Sequence, residues 1–276
     1  MDFTDKTVII TGAASGIGKK MSESLYEKGC RVVLCDIRED ELRRLYSHYE
    51  DKRTLRCKLD VRNVTDWQQV REAVIKNFTT VDYLLNIAGV LEAANIYESS
   101  IEKIDRQIDI NLKGTMYGDH TFSPVMIAQK HGQIINIASM AGLAPIQGMN
   151  SYSASKFGVR GFSLAAAYEL REHGVKVSVL CPDAVHTPML DKQKDEKAAA
   201  MTYSTRLLLT VEDIEKAILS LMVKPKFEKW LPVSRGILAT IGSLFPSVAL
   251  LLKDKLIRRG LKQQALYIPV NNERTS

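Results

Sequence analysis

Cysteine is scarce in this chain, and its spacing excludes a metal or disulfide framework. Cys30, Cys35, Cys57 and Cys181 are the only four. They form no Cys-x-x-Cys pair and stand at no Cys/His interval that would hold zinc, so no metal centre is expected. Cys35, Cys57 and Cys181 fall in strand-like runs, where a free thiol behaves as a small apolar side chain and suits a reducing compartment. A short internal repeat and a low-complexity linker are also missing, which argues against a repeat array or a disordered tether. No leader-like apolar stretch opens the sequence. Met1-Asp2-Phe3-Thr4-Asp5-Lys6 enters a strand-like run by Thr7, so a cytoplasmic location is expected. Nor is there an unbroken apolar run of the roughly 20 residues that a spanning helix needs.

Charge is only mildly one-sided. The 38 basic and 32 acidic residues leave a net +6, with a pI near 9.0. Lys and Arg are spread along the chain, which reads as a solvated surface, and no nucleic-acid partner is expected. One local excess lies near the C-terminus, at Lys253, Lys255, Arg258, Arg259 and Lys262.

The 276 residues, 45% hydrophobic and 25% charged, are ordinary for a soluble α/β unit. Strand-like runs occur at Thr7–Thr11, Arg31–Asp36, Thr54–Val61, Val81–Asn86, Gln133–Ser139, Val175–Cys181 and Lys229–Val233. Several are continuously apolar, as strands covered on both faces should be. Segments with helical spacing lie between them, for example Ile17, Met21 and Leu25, or Leu164, Tyr168 and Arg171. The expected fold is α/β: a doubly wound, Rossmann-type parallel sheet of about seven strands with helices on both faces. Residues 1–235 would form the dinucleotide-binding and catalytic domain. Residues 236–276 would form a hydrophobic, then basic extension packed on it. The polar stretch Asp183–Thr210 reads as a lid or as a solvated helical excursion. Thr210-Val211-Glu212-Asp213 after it reads as a helix N-cap.

Thr11-Gly12-Ala13-Ala14-Ser15-Gly16-Ile17-Gly18 follows the first strand and opens the first helix. Gly12 allows a tight turn, Gly16 lets the backbone approach a ligand, and Gly18 permits close helix–strand packing. The helix N-terminus offers free N–H groups to a pyrophosphate. Asp36 ends the second strand, 18 positions after Gly18. A carboxylate there can accept from ribose hydroxyls and repel a 2′-phosphate, so NAD is favoured over NADP, with Arg38 as the complication. Tyr152 and Lys156 stand four apart and share a helix face. A nearby ammonium lowers a phenol's pKa and suits it to general acid/base work. Ser139 ends a strand upstream and can polarise a carbonyl.

Together these residues resemble the short-chain dehydrogenase/reductase family. Its Tyr-x-x-x-Lys marker, with a serine thirteen positions before the tyrosine, is met by Ser139, Tyr152 and Lys156. The resemblance implies cofactor contacts from Gly12, Ser15, Gly16, Ile17, Gly18 and Asp36, and from Asp60 and Val61 after the third strand. It adds Asn86, Ala88 and Gly89 after the fourth strand, Pro182, Val185 and Thr187 after the sixth, and Tyr152 and Lys156 themselves. Asn111 matches the asparagine that holds a relay water. Two positions depart from the pattern: Ile87 replaces the second asparagine of Asn-Asn-Ala-Gly, and Asp183 replaces a glycine beside the nicotinamide. The implied activity is the NAD-dependent interconversion of an alcohol and its carbonyl. The implied assembly is a homodimer or homotetramer. The alternative is a cofactor-binding regulator without catalysis.

Gly236–Leu252 carries no charge and is interrupted by Pro246. Three readings stay open: a cover for a lipophilic-substrate pocket or a subunit contact, shallow peripheral insertion in a membrane helped by the basic flank, or a true span. Similar tails in the family accompany steroids, retinoids or long-chain alcohols, so a lipophilic substrate is expected.

Overall fold

The computed structural model describes residues 2–205 and 208–270. In chain order its main elements are β1 (Thr7–Thr11), α1 (Gly16–Glu27), β2 (Arg31–Asp36), α2 (Glu39–Leu45), β3 (Thr54–Lys58), α3 (Val64–Phe78) and β4 (Tyr83–Asn86). Next come α4 (Ile101–Gln107), a π-helical turn (Ile108–Lys113), α5 (Gly114–Gln129), β5 (Gly132–Ile137), α6 (Asn150–Arg171) and β6 (Val175–Pro182). The chain continues with α7 (Pro188–Asp191), α8 (Val211–Val223), β7 (Glu228–Leu231), α9 (Val233–Leu244) and α10 (Pro246–Ala265).

The seven strands pair in the order β3-β2-β1-β4-β5-β6-β7, and each neighbouring pair is parallel. Every residue of β1 is buried, because successive side chains enter opposite cores. Val8 and Ile10 join Met21 and Leu25 of α1, Leu42 of α2, and Ile214, Ile218 and Leu221 of α8. Ile9 joins Trp67 and Val70 of α3, Phe122 and Met126 of α5, and Ala166 and Ala167 of α6. Helices thus cover both faces, and burial on both sides explains the continuous apolar runs of β1, β2 and β4, whereas β3 and β7 at the sheet edges are only partly buried.

Some element ends differ from the sequence reading. Leu59–Val61 leave the sheet because the Asp60 N–H turns to the Asp66 carboxylate at 2.9 Å, at the entry to α3. Val233 begins α9 rather than ending β7, since Pro232 has no N–H to continue a ladder and serves as the N-cap. On α6 the buried face runs through Val159, Ser163, Ala166 and Ala167, while Tyr168 lies outside it and is 64% exposed. The Thr210 N-cap is present as a full capping box with Asp213.

Within the Asp183–Thr210 stretch the described residues are packed down at several points, although Lys192, Asp195, Glu196 and Lys197 are not buried. Leu190, Ala199 and Tyr203 join a buried cluster that also takes in Tyr152 and Tyr267. Helix α10 lies close above it: a Cβ on Gly260 would meet Ala200 O at 1.8 Å. Gln264 Nε2 donates to Gln193 O at 3.0 Å and to Glu196 O at 2.9 Å. The uncharged C-terminal run is therefore two helices joined at Phe245, and Pro246 starts the second. No helix among the described residues is long and apolar enough to cross a membrane. The last residues of the expected extension, 271–276, lie outside those described.

Candidate active site

β1 hands the chain to α1 on one face, while β4 leads to α5 on the other. The strand order reverses there, and a crevice opens beyond the C-terminal strand ends. A cavity of about 1230 Å³ fills it, running from the glycine loop to α9 and α10.

The first half is a phosphate cradle. Gly12 and Gly16 both have positive φ, at 70° and 49°. A Cβ on Gly18 would sit 2.1 Å from Gly12 O, so only glycine lets α1 start this close to the loop. Gly12, Ser15, Gly16, Ile17 and Gly18 all line the cavity. The N-terminus of α1, with its unpaired N–H groups, fits an anionic pyrophosphate. Thr11 Oγ1 ties this loop to the next one, accepting from Ile87 N at 2.9 Å and Ala88 N at 3.0 Å. Asp36 is buried at the ribose end and accepts from Ala14 N at 3.0 Å. Its other oxygen accepts from Arg38 N at 3.0 Å and Arg38 Nε at 3.1 Å. The same arrangement recurs at the end of β3, where Asp60 accepts from Arg62 N at 3.0 Å and Arg62 Nε at 2.9 Å. The guanidinium holds the Asp60 carboxyl below its usual pKa.

The second half holds the reactive groups. Tyr152 and Lys156 lie one turn apart on the buried side of α6, 9% and 6% exposed. Ser139 leaves β5 in extended conformation, and its Oγ accepts from Ala141 N at 3.1 Å. The Lys156 ammonium donates to Ile137 O at 2.8 Å and stands 5.7 Å from the Tyr152 ring centroid. Burial pushes the Lys156 pKa down to about 8. Burial likewise pushes the Tyr152 phenol up to about 12, partly offset by a hydrogen bond with Ser139. Burial, which disfavours the phenolate, is the larger influence, and the lowering comes from Ser139 rather than from the ammonium neighbour expected from the sequence.

Two expected site residues do not line the cavity. Asn86 faces away from it, into the α3–α5 side. There its Nδ2 donates to Asp119 Oδ1 at 2.7 Å and to Asn136 Oδ1 at 2.8 Å. Burial pushes the Asp119 carboxyl up to about 7. The Asn86 side chain therefore ties the end of β4 to α5 and β5. Asn111 sits in the π-helical turn and clamps the same loop. It accepts from Val90 N at 2.7 Å and donates to Val90 O at 2.9 Å and Ser155 Oγ at 3.1 Å. Both ends of its amide are engaged, and its carbonyl accepts from Thr115 Oγ1 at 2.9 Å. The amide thus clamps the loop after β4 to α6.

The other expected residues, Asp60, Val61, Ala88, Gly89, Pro182, Val185 and Thr187, all line the cavity. So do Arg62 and Val90, which the sequence reading passed over. The repeated Asp-x-Arg at the ends of β2 and β3 was the available signal for Arg62. Asp183 also lines the cavity, but its charge is matched: Arg235 Nε of α9 lies 2.7 Å from Asp183 Oδ2.

A family model described as short chain dehydrogenase matches residues 6–198. The chain belongs to the short-chain dehydrogenase family. It is therefore an oxidoreductase of Rossmann-like fold. An uncharacterized oxidoreductase of Staphylococcus aureus (strain N315) is a relative of this short-chain dehydrogenase, 31% identical across 81% of this chain and 94% of its own. A CLA biosynthesis dehydrogenase/reductase of Lactiplantibacillus plantarum is 34% identical across 71% of each chain. Among solved structures, a short chain dehydrogenase/reductase from Burkholderia phymatum in complex with NAD superposes with a TM-score of 0.78 at 27% identity, covering 91% of this chain and 96% of that one. A 3-ketoacyl-(acyl-carrier-protein) reductase from Brucella melitensis complexed with NADH gives 0.71 at 27% identity, over 80% and 91%.

Proposed function

We propose that this short-chain dehydrogenase uses NAD(H) to interconvert an alcohol and its carbonyl on a lipophilic substrate, with Tyr152 as general acid/base. One observation carries the reading. Buried Tyr152 and Lys156 and half-buried Ser139 line the cavity together with the glycine loop and with apolar Leu238, Ile241, Phe245 and Val248. The nicotinamide, when bound, supplies or accepts the hydride. Ser139 Oγ holds the substrate oxygen, and the Tyr152 hydroxyl donates a proton to it during reduction or removes one during oxidation. Lys156, one turn away, places a cation where it favours the phenolate once the phenol has given up its proton. The ketoacyl substrate named for the Brucella neighbour is consistent with a carbonyl on an apolar chain.

Asp36 at the ribose end favours NAD. The Arg38 guanidinium resting on Asp36 favours the second reading, NADP, because swinging away would let it meet a 2′-phosphate. Dimers or tetramers, through the helices bearing Asn111 and Tyr152, belong to the same proposal, and light scattering measures them. The deciding experiment is fluorescence titration with NADH and NADPH, followed by an alcohol and ketone panel on wild type and Tyr152→Phe. Tight NADH binding with turnover lost in the variant is expected. Comparable turnover in Tyr152→Phe refutes the phenol's role, and NADH binding with no turnover on any substrate points to a regulator.

A further inference from the structure

Helices α9 and α10 leave an apolar surface that nothing in the fold covers. Leu238, Ile241, Leu244, Phe245, Val248 and Leu251 follow one another at helical spacing around the hairpin tip, and all are exposed, Leu251 to 81%. An exposed apolar patch of this continuity marks an interaction site. Its flank is basic. Between Glu228 and Asp254 the sequence has no acidic residue. Lys253, Lys255, Arg258, Arg259 and Lys262 then stand on α10 with Asp254 as that helix's single acid. Among the described residues none of these five cations has a carboxylate partner within ion-pair distance. A second copy of the chain would bring the same basic flank and no acidic one to meet it. An anionic lipid surface offers both an apolar interior and matching charge.

We propose that the α9–α10 hairpin docks this protein peripherally on an anionic phospholipid bilayer. The apolar tip sits at the level of the headgroups and upper acyl chains, and the cations of α10 meet the lipid phosphates. Leu238, Ile241, Phe245 and Val248 belong to this surface and also line the cavity. The docked face is therefore the mouth of the cavity, and an apolar path runs from the bilayer toward Tyr152. Docking is independent of the reaction proposed above; delivery of a lipid-borne substrate rests on it.

The test is co-sedimentation of the full-length chain with vesicles of phosphatidylcholine alone and of phosphatidylcholine and phosphatidylglycerol in equal parts. Wild type is expected to pellet with the mixed vesicles, to bind pure phosphatidylcholine much more weakly, and to be released by added salt. Leu244 and Leu251 do not line the cavity, so the double variant Leu244→Asp/Leu251→Asp should keep NADH affinity while losing at least about tenfold in vesicle affinity. Lys255→Ala/Arg258→Ala should lose about fivefold per cation on mixed vesicles only. Failure of wild type to pellet with mixed vesicles overturns the proposal. So does equal binding to both vesicle types, and so does a dimer abolished by the leucine variant in a chain with no vesicle affinity. NADH titration of the same samples separates any of these outcomes from a failure of the cofactor reading.

Discussion

Replacing Arg235 by Leu should destabilise the protein through a carboxylate that is not itself mutated. Asp183 is 10% exposed in its side chain and Arg235 35%, with 2.7 Å between Nε and Oδ2. Removing one partner of a fully buried pair costs about 3–5 kcal/mol, mostly because the other charge is stranded. Here Arg235 is partly solvated, and the contact lacks hydrogen-bond geometry. Screening lowers the expectation to about 1–3 kcal/mol, equivalent to a Tm fall of about 2–5 °C for a chain of this size. Urea and thermal melts of Arg235→Leu measure it directly. The control is Arg235→Leu/Asp183→Asn, which removes the stranded charge and keeps the side-chain shape. It should recover to within about 1 kcal/mol of wild type. If the double variant is as unstable as the single, the loss comes from the packing of the Arg235 stem, and the charge argument is wrong.

Lys156→Met tests the buried ammonium. The Lys156 pKa falls from 10.5 to about 8 on folding, so between these values the unfolded chain binds more protons and wild-type stability rises with pH. Relative to Lys156→Met, wild type should gain about 3 kcal/mol across that window, read from urea curves of the cofactor-free proteins. A flat or opposite trend refutes the assignment. Gly18→Ala would place a Cβ 2.1 Å from Gly12 O. It should cost about 1–3 kcal/mol or more through overpacking and abolish NADH binding in a fluorescence titration. Asp36→Ala removes the acceptor of Ala14 N and the partner of Arg38, so the ratio of NADPH to NADH affinity should rise at least about tenfold; an unchanged ratio removes Asp36 from cofactor choice.

The doubly wound sheet was legible because β1, β2 and β4 are buried on both faces and so spell short continuous apolar runs. The glycine loop was legible because its residues act through what they lack, and a missing Cβ is visible in sequence. Asn86 and Asn111 show where legibility stopped. A motif identifies the residue but not the direction of its side chain: Asn86 binds α5 and β5, Asn111 clamps the loop after β4, and neither lines the cavity. The phenol's pKa failed for a related reason. Spacing reveals that Tyr152 and Lys156 are neighbours, but not that burial opposes the charged form of each. The exposed Tyr168 marks the same limit on α6: Leu164 of the expected stripe packs against a core cluster, but Tyr168 does not, and small residues such as Ser163, Ala166 and Ala167 form the buried face.

Two oddities of the sequence prove to be one structural feature. Asp183 stands where the family pattern has glycine, and the chain carries an apolar extension. Asp183 N donates to Leu231 O at 2.8 Å, which closes the end of β6 onto β7. Arg235, four residues after Leu231, brings its charge from the first turn of α9 to the Asp183 carboxylate. The ion pair therefore roots the hairpin at the wall of the cavity, which both residues line. A glycine at 183 would leave Arg235 facing the cavity wall unmatched. A chain without α9 would leave Asp183 as a bare carboxylate in the cavity that Tyr152 also lines. Each departure makes the other tolerable. Any movement of the hairpin, such as that imposed by a bilayer, would change the polarity next to the reacting atoms through this one pair.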